Sequence, residues 1–341
     1  MKGIKKNTIL LFIMAILIMY FLLKDNFNEV VDNLIVAHKG IILIGVILMI
    51  LYWLLRALAL YLVVKDYKKD IKYGKMLHQI LITQFFNGVT PFATGGEPMQ
   101  VYMLKKSGIK VAQATNIIVQ EFIMYQVALI IMGIVCLILN LCFDLCAVNP
   151  FLANLIMIGF LVNIFVGVVS IFISFSEKFS KFIVNLGLKI GIKLRLIKNV
   201  EKTTKLWNEK VEEYNESGTM LKKNKKLFFT CIIVNLLALF VFYLVPFFVF
   251  LSMSQNIGVM QAVVCSAFIL LVGNFVPLPG GSFGTEAAFN AFFLSVLPNV
   301  DTAPAIANAA CIIWRGITLY MGIVVGGVAL GFFKGEDKKC E

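Results

Sequence analysis

Six apolar runs separated by short polar clusters set the plan of this chain: residues 8–23, 40–64, 111–140, 150–175, 227–252 and 304–333. Most approach or exceed the ~20 apolar residues a helix needs to cross a bilayer. Residues 8–23 are as short as a signal-peptide core. Lys24-Asp25-Asn26 follow where a small-residue cleavage site would stand, so the run reads as a first span. Lysines then set the sense of each crossing. Lys65, Lys68, Lys69, Lys72 and Lys75 follow the second run, and Lys334, Lys338 and Lys339 follow the last. Residues 24–39 balance two lysines against three acids, and residues 141–149 hold no basic residue. Basic residues favour the cytoplasmic face, which predicts cytoplasmic N- and C-termini. Within residues 227–252, Pro246 predicts a kink.

Two further apolar segments are broken in the middle by helix-breaking letters. The first runs Asn87-Gly-Val-Thr-Pro-Phe-Ala-Thr-Gly-Gly-Glu-Pro98, and the second runs Asn274-Phe-Val-Pro-Leu-Pro-Gly-Gly-Ser-Phe-Gly-Thr-Glu286. Proline and paired glycines cannot continue a helix comfortably. Broken backbone at membrane depth has to be buried in protein or line a wet cavity. After the first break only seven residues, 98–104, precede Lys105, Lys106 and Lys110. Seven residues rise ~10 Å, far short of the ~30 Å hydrocarbon core, so this segment reads as a re-entrant hairpin dipping in from the cytoplasm. The second, residues 258–298, has no basic flank and reads as a hairpin entering from outside.

The expected fold is therefore an all-α polytopic membrane protein with six spans and two oppositely oriented re-entrant hairpins; eight full spans is the alternative. The order span, span, hairpin, span occurs twice in opposite senses, with residues 8–140 as one half and 150–333 as the other. Inverted repeats of this kind place a binding site near the midplane, where the discontinuous segments meet.

Composition agrees. Of 341 residues, 60% are hydrophobic and only 15% charged, where a soluble domain carries about 25%. The net charge of +12 reports orientation and lipid contact, and no nucleic-acid-binding module is visible. Residues 176–226 carry thirteen Lys/Arg against six Glu, a basic amphipathic segment suited either to the anionic inner leaflet or to packing on the bundle. Seven cysteines form no CxxC pair and only two histidines exist, His38 and His78, so neither a metal site nor a cofactor is expected. The cysteines are most simply packing residues, although Cys142 and Cys146 are close enough in sequence to pair near the outer surface.

The candidate site residues are those of the two breaks and the rare charges inside spans. Helix N-termini and Gly-Gly amides at Thr90, Gly95, Gly96, Gly280 and Gly281 favour an anion such as a lipid phosphate. Glu97 and Glu286 favour an ammonium group; each also stands where a helix cap would, as do Ser282 and Thr285. Asn87 and Asn274 are expected to satisfy the broken backbone. A charge at a helix centre costs ~2.5–3.5 kcal/mol on insertion scales, so Glu121, Arg315 and Arg56 each need a partner or water. Arg56 lies nine residues from Lys65 and can snorkel toward it. Glu121 and Arg315 sit at similar places in the two halves and are expected to pair across one midplane cavity.

Residues 90–104 and 277–286 resemble the two signature segments of the flippase-like membrane domain family, the domain also found at the N-terminus of lysylphosphatidylglycerol synthases (the multiple peptide resistance proteins). The likeness covers roughly residues 8 to 332. It implies translocation of an aminoacylated or other amine-bearing phospholipid such as lysylphosphatidylglycerol, in a bacterial plasma membrane, linked to envelope charge and resistance to cationic antimicrobial peptides. The segment after residue 333 and residues 176–226 are too short for the acyltransferase domain of the bifunctional relatives, so a stand-alone member is expected. Two alternatives stay open: the membrane part of a phosphatidylglycerol lysyltransferase or other lipid-modifying transferase, and a secondary transporter for a small solute or ion. The implied partners are phospholipid headgroups, anionic inner-leaflet lipids, a separate aminoacyl-lipid synthase and a second copy of the chain; no nucleic acid is implied.

Overall fold

A computed structural model describes residues 27–146, 150–176, 223–274, 276–297 and 301–333, with scattered positions between 179 and 219. The run at 8–23 lies outside the described residues, as does most of the basic segment 176–226. What is described is all-helical: α1 (Phe27–Val36), α2 (Lys39–Tyr67), α3 (Tyr73–Val89), α4 (Gly96–Lys106), α5 (Val111–Phe143), α6 (Pro150–Phe175), α7 (Lys225–Tyr243), α8 (Val245–Ser252), α9 (Val259–Gly273), α10 (Gly284–Leu294), α11 (Ala303–Arg315), a π-helical turn Gly316–Tyr320, and α12 (Met321–Gly331). Among the described residues, five helical stretches are long and apolar enough to cross a membrane: Lys39–Tyr67, Val111–Phe143, Leu152–Phe172, Lys225–Ser252 and Ala303–Gly331.

The break predicted at Pro246 falls at Leu244, between α7 and α8, with Pro246 in the first turn of α8, where its missing N–H costs nothing. The hydroxyl of Ser266 donates to the Tyr243 carbonyl (3.1 Å) beside the break. One element was invisible in the hydropathy pattern. Residues 27–36, read as an outer loop, form helix α1, which packs on α11 and buries Val30.

Helices α3 and α4 form one hairpin, and α9 and α10 the other. Hydrogen bonds fix which end of the bundle each hairpin enters. Lys68, which ends α2, donates its Nζ to the Ser107 carbonyl at the end of α4 (2.9 Å), so the first hairpin leaves and returns beside the lysines that follow α2. The arms are tied by the Gln79 amide donating to the Gln100 carbonyl (2.9 Å). At the other end of α2, the His38 N–H donates to the Ser252 carbonyl (2.8 Å), and the second hairpin starts just beyond. Helix α5 runs away from the lysine end for 33 residues, ~50 Å. The thiol of Cys146, just past its far end, meets the hydroxyl of Ser295, which ends α10 (3.1 Å). The two hairpins therefore enter the bundle from opposite ends. Cys142 and Cys146, candidates for pairing with each other, are both free; Cys142 is exposed while Cys146 is buried against the second hairpin.

The second hairpin sits in an aromatic nucleus. Phe293 stands 4.7 Å from Phe250 and 4.5 Å from Phe289, ring centre to ring centre, and Phe289 stacks on Trp314 at 4.9 Å. The first hairpin packs instead on α12, where Gly326 allows backbone contact. A Cβ at Gly326 would fall 2.4 Å from the Leu81 carbonyl oxygen. Small residues serve such close approaches between helices in membranes.

Candidate functional site

Both tips are built by the same local rules. In the first, the Ala93 N–H donates to the Thr90 carbonyl and the Thr94 N–H to the Pro91 carbonyl; in the second, the Gly281 N–H donates to Leu278 and the Ser282 N–H to Pro279. The Thr94 and Ser282 hydroxyls return to the carbonyls of Pro91 (3.0 Å) and Pro279 (2.6 Å). Two consecutive residues then take positive φ: Phe92 and Ala93 at 54°, Gly280 and Gly281 at 63° and 64°. The matching positions are all 188 residues apart, and so are Gly96 and Gly284, the first residues of α4 and α10.

In this register the glycine pairs of the two breaks do not match each other. Gly280-Gly281 corresponds to Phe92-Ala93, and Gly95-Gly96 lies at the start of the returning helix instead. The tips touch: Pro91 and Pro279 form an antiparallel bridge. Prolines have no N–H to give, so flanking backbone groups carry that pairing.

Neither carboxylate caps a helix. The starts of α4 and α10 have no side-chain cap, and the Ser282 and Thr285 hydroxyls point back to the carbonyls of Pro279 and Gly281. Thr90 closes its own tip, donating to the Phe86 carbonyl (2.7 Å) and accepting from the Gly95 N–H (2.9 Å). Asn274 donates to Asn163 of α6 (3.2 Å) and does not serve the broken backbone. The side-chain oxygen of Asn87 is buried with no donor.

The expected pairing of Glu121 with Arg315 does not occur. Glu121 pairs with Arg56 (2.7 Å), and Arg315 pairs with Glu286 (2.6 Å). Arg56 does not snorkel. It donates to Asn235 of α7 (2.5 Å) and its guanidinium lies 4.1 Å over the Tyr125 ring. Arg315 also donates to the Gly280 carbonyl (3.2 Å), holding the second tip, while its second terminal nitrogen is buried without an acceptor. Each cation thus joins a carboxylate partner to backbone or amide oxygen, which compensates burial better than a bare pair. The π turn begins directly after Arg315, an interruption that recurs at functional sites in helices.

Between the tips lies a cavity of about 620 Å³. Among its lining residues are Arg56, Asn87, Glu97, Glu121, Gly280, Gly281 and Arg315. Glu121 and Arg315 therefore share one cavity although they are not partners. Thr90, Gly95, Gly96 and Glu286 stand behind the wall. Glu97 has no hydrogen-bond or ion-pair partner among the described residues and is exposed to the cavity. Polar wall groups that sequence reasoning missed include Gln84, Gln126 and Thr318. Their only signal was an amide or hydroxyl within an apolar helix.

Comparison with known proteins covers this whole frame. The family model of the lysylphosphatidylglycerol synthase TM region matches residues 8–326. A UPF0104 membrane protein of Archaeoglobus fulgidus is 21% identical over 301 residues, covering 87% of either chain.

Proposed function

The chain belongs to the family of lysylphosphatidylglycerol synthase transmembrane regions, multi-pass membrane proteins, and on that premise we propose that it translocates an amine-bearing phospholipid between leaflets. One observation carries this reading: a single cavity between two opposed hairpin tips offers an unpaired carboxylate, Glu97, and a buried guanidinium nitrogen without an acceptor, on Arg315. A headgroup with an ammonium and a phosphate matches that pair of signs. Glu97 receives the ammonium and Arg315 the phosphate, both as charge-assisted contacts in a site of low dielectric.

In this reading residues 8–140 and 150–333 are inverted copies, and each hairpin is re-entrant from its own side of a bacterial plasma membrane, with cytoplasmic termini. The hairpins approach from opposite ends of the bundle, so parting or tilting of the tips exposes the cavity to one side or the other. Anionic inner-leaflet lipids meet the basic residues around 176–226, and a separate aminoacyl-lipid synthase supplies the substrate.

The test is a leaflet-resolved assay in proteoliposomes, with amine-labelled lysylphosphatidylglycerol and phosphatidylethanolamine as probes and phosphatidylglycerol as the amine-free comparison. Protein-dependent movement of the amine-bearing lipids is expected. Movement of none of them, with a charged solute crossing instead, would replace this reading with a small-solute transporter.

A further inference from the structure

We infer that the cavity has a lateral portal for the acyl chains, between the tip of the first hairpin and α6; the inference rests on the lipid-translocation reading above. Both elements line the cavity, the tip through Phe92 and Ala93 and α6 through Val162, Asn163 and Val166. Among the described helices, however, they have different packing partners. Helix α3 packs on α2, α4 and α12, α4 packs on α3 and α5, and α6 packs on α5 and α9. Between the described parts of these elements, the cavity wall is made by side chains of the tip and of α6.

That wall is apolar where the rest of the cavity is charged. Phe92 is 55% exposed, Val162 37% and Val166 38%, and Phe122 of α5 completes the set. One step round α6, Leu161 and Phe165 are exposed and turned outward, so Val162 and Val166 form the lip where cavity face becomes lipid face. Positions four apart on a helix share a face and positions one apart lie about 100° round it, which is how one helix serves both. Inside the lip stand Glu97, Glu121 and Arg315.

A two-chain phospholipid cannot bring its tails into a wet, charged cavity, because every methylene moved out of hydrocarbon adds its own cost. The arrangement answers that: the headgroup enters between the tips, and the chains stay in the bilayer, passing over Phe92, Phe122, Val162 and Val166. Phe92 stands at positive φ in the strained tip and is more than half exposed.

The experiment uses the full chain in liposomes and two phosphatidylethanolamine probes, one with a diazirine in an acyl chain and one with the diazirine on the headgroup. The chain probe is expected to label Phe92 and, deeper in the cavity wall, the half-buried Phe122, and the headgroup probe the segment around Glu97. Val162→Trp with Val166→Trp is expected to remove the chain label from Phe122 and cut translocation by about tenfold or more, as a plugged gate does, with the headgroup label in the unmodified protein as reference. Chain labelling confined to the outward residues Val324 and Val328 of α12, with the headgroup label still at Glu97, would overturn the portal and leave translocation standing. Undiminished translocation by the double tryptophan variant would do the same. Loss of the headgroup label and of all lipid movement in the unmodified protein would overturn the portal together with the function it rests on.

Discussion

Pro91 of the first hairpin pairs with Pro279 of the second in an antiparallel bridge, so two segments 188 residues apart meet tip to tip inside the bundle. The bridge holds the two tips together beside the cavity that Phe92 and Gly280 line, and on the translocation reading a headgroup passes only when they part. Paired residues without their own ladder hydrogen bonds stand ~4.5 Å apart at Cα, within reach of a disulfide. Pro91→Cys with Pro279→Cys is expected to crosslink under mild oxidant and to stop lipid translocation, with recovery on reduction. Transport that continues at full rate in the crosslinked protein would show that the tips do not part.

The tips store strain unequally. Gly280 and Gly281 take left-handed φ freely, whereas Phe92 and Ala93 take it at a cost of order 1–3 kcal/mol each. Gly281→Ala is expected to lower stability by ~1–2 kcal/mol, the penalty of a Cβ in that conformation. Ala93→Gly is expected to hold or raise stability by up to ~1 kcal/mol. Thermal unfolding in detergent, on both variants side by side, checks the opposite signs.

Much of this frame is legible in the chain because membrane spans and hairpin breaks depend on local chemistry. Runs such as 40–64 and 111–140 announce helices by length, and Pro91, Pro277 and Pro279 announce breaks. The register in which the two tips match is less legible. It follows the sign of φ, and Phe92-Ala93 adopts the same backbone as Gly280-Gly281 without any glycine to mark it. Partner choice is less legible still. Spacing along separate helices places Glu121 and Arg315 at similar depth, but which cation reaches which carboxylate depends on helix rotation and on third groups such as Asn235 and the Gly280 carbonyl. Helix α1 was hidden because its mixed charges read equally well as a loop.

Glu97 offers the cleanest separation of function from stability. It has no partner among the described residues, so Glu97→Gln breaks no ion pair and should leave the unfolding temperature nearly unchanged. Its carboxylate is the cavity group proposed to meet an ammonium. Loss of a charge-assisted contact is worth ~1.5–3 kcal/mol, or roughly 10- to 100-fold in affinity for the amine-bearing lipid. Amine-free phosphatidylglycerol should bind the variant no worse than the native protein. Equal losses for both lipids, measured by concentration-dependent translocation, would remove Glu97 from amine recognition.

The two ion pairs make the most demanding prediction. Arg56 with Glu121 joins α2 to α5, and Arg315 with Glu286 joins α11 to α10; each pair is buried. Removing one member leaves the other without its partner at the cavity wall, at a cost of up to ~3–5 kcal/mol. Arg56→Ala, Glu121→Ala, Arg315→Ala and Glu286→Ala should therefore all destabilise strongly. Reversal within a true pair restores opposite charges in contact. Arg56→Glu with Glu121→Arg is thus expected to regain part of the stability lost by either single change, although Asn235 would then have to turn its amide to donate. Glu121→Arg with Arg315→Glu makes no such contact, since Arg56 and Glu286 would each face a like charge; that variant is expected to be less stable than either single one. A double-mutant cycle on unfolding in detergent separates the two cases. Recovery by the second combination and not the first would mean that the working protein pairs Glu121 with Arg315 across the cavity. Translocation should stay low in the variant that replaces Arg315, because Arg315 also holds the Gly280 carbonyl, and a carboxylate in its place would repel both that carbonyl and a lipid phosphate.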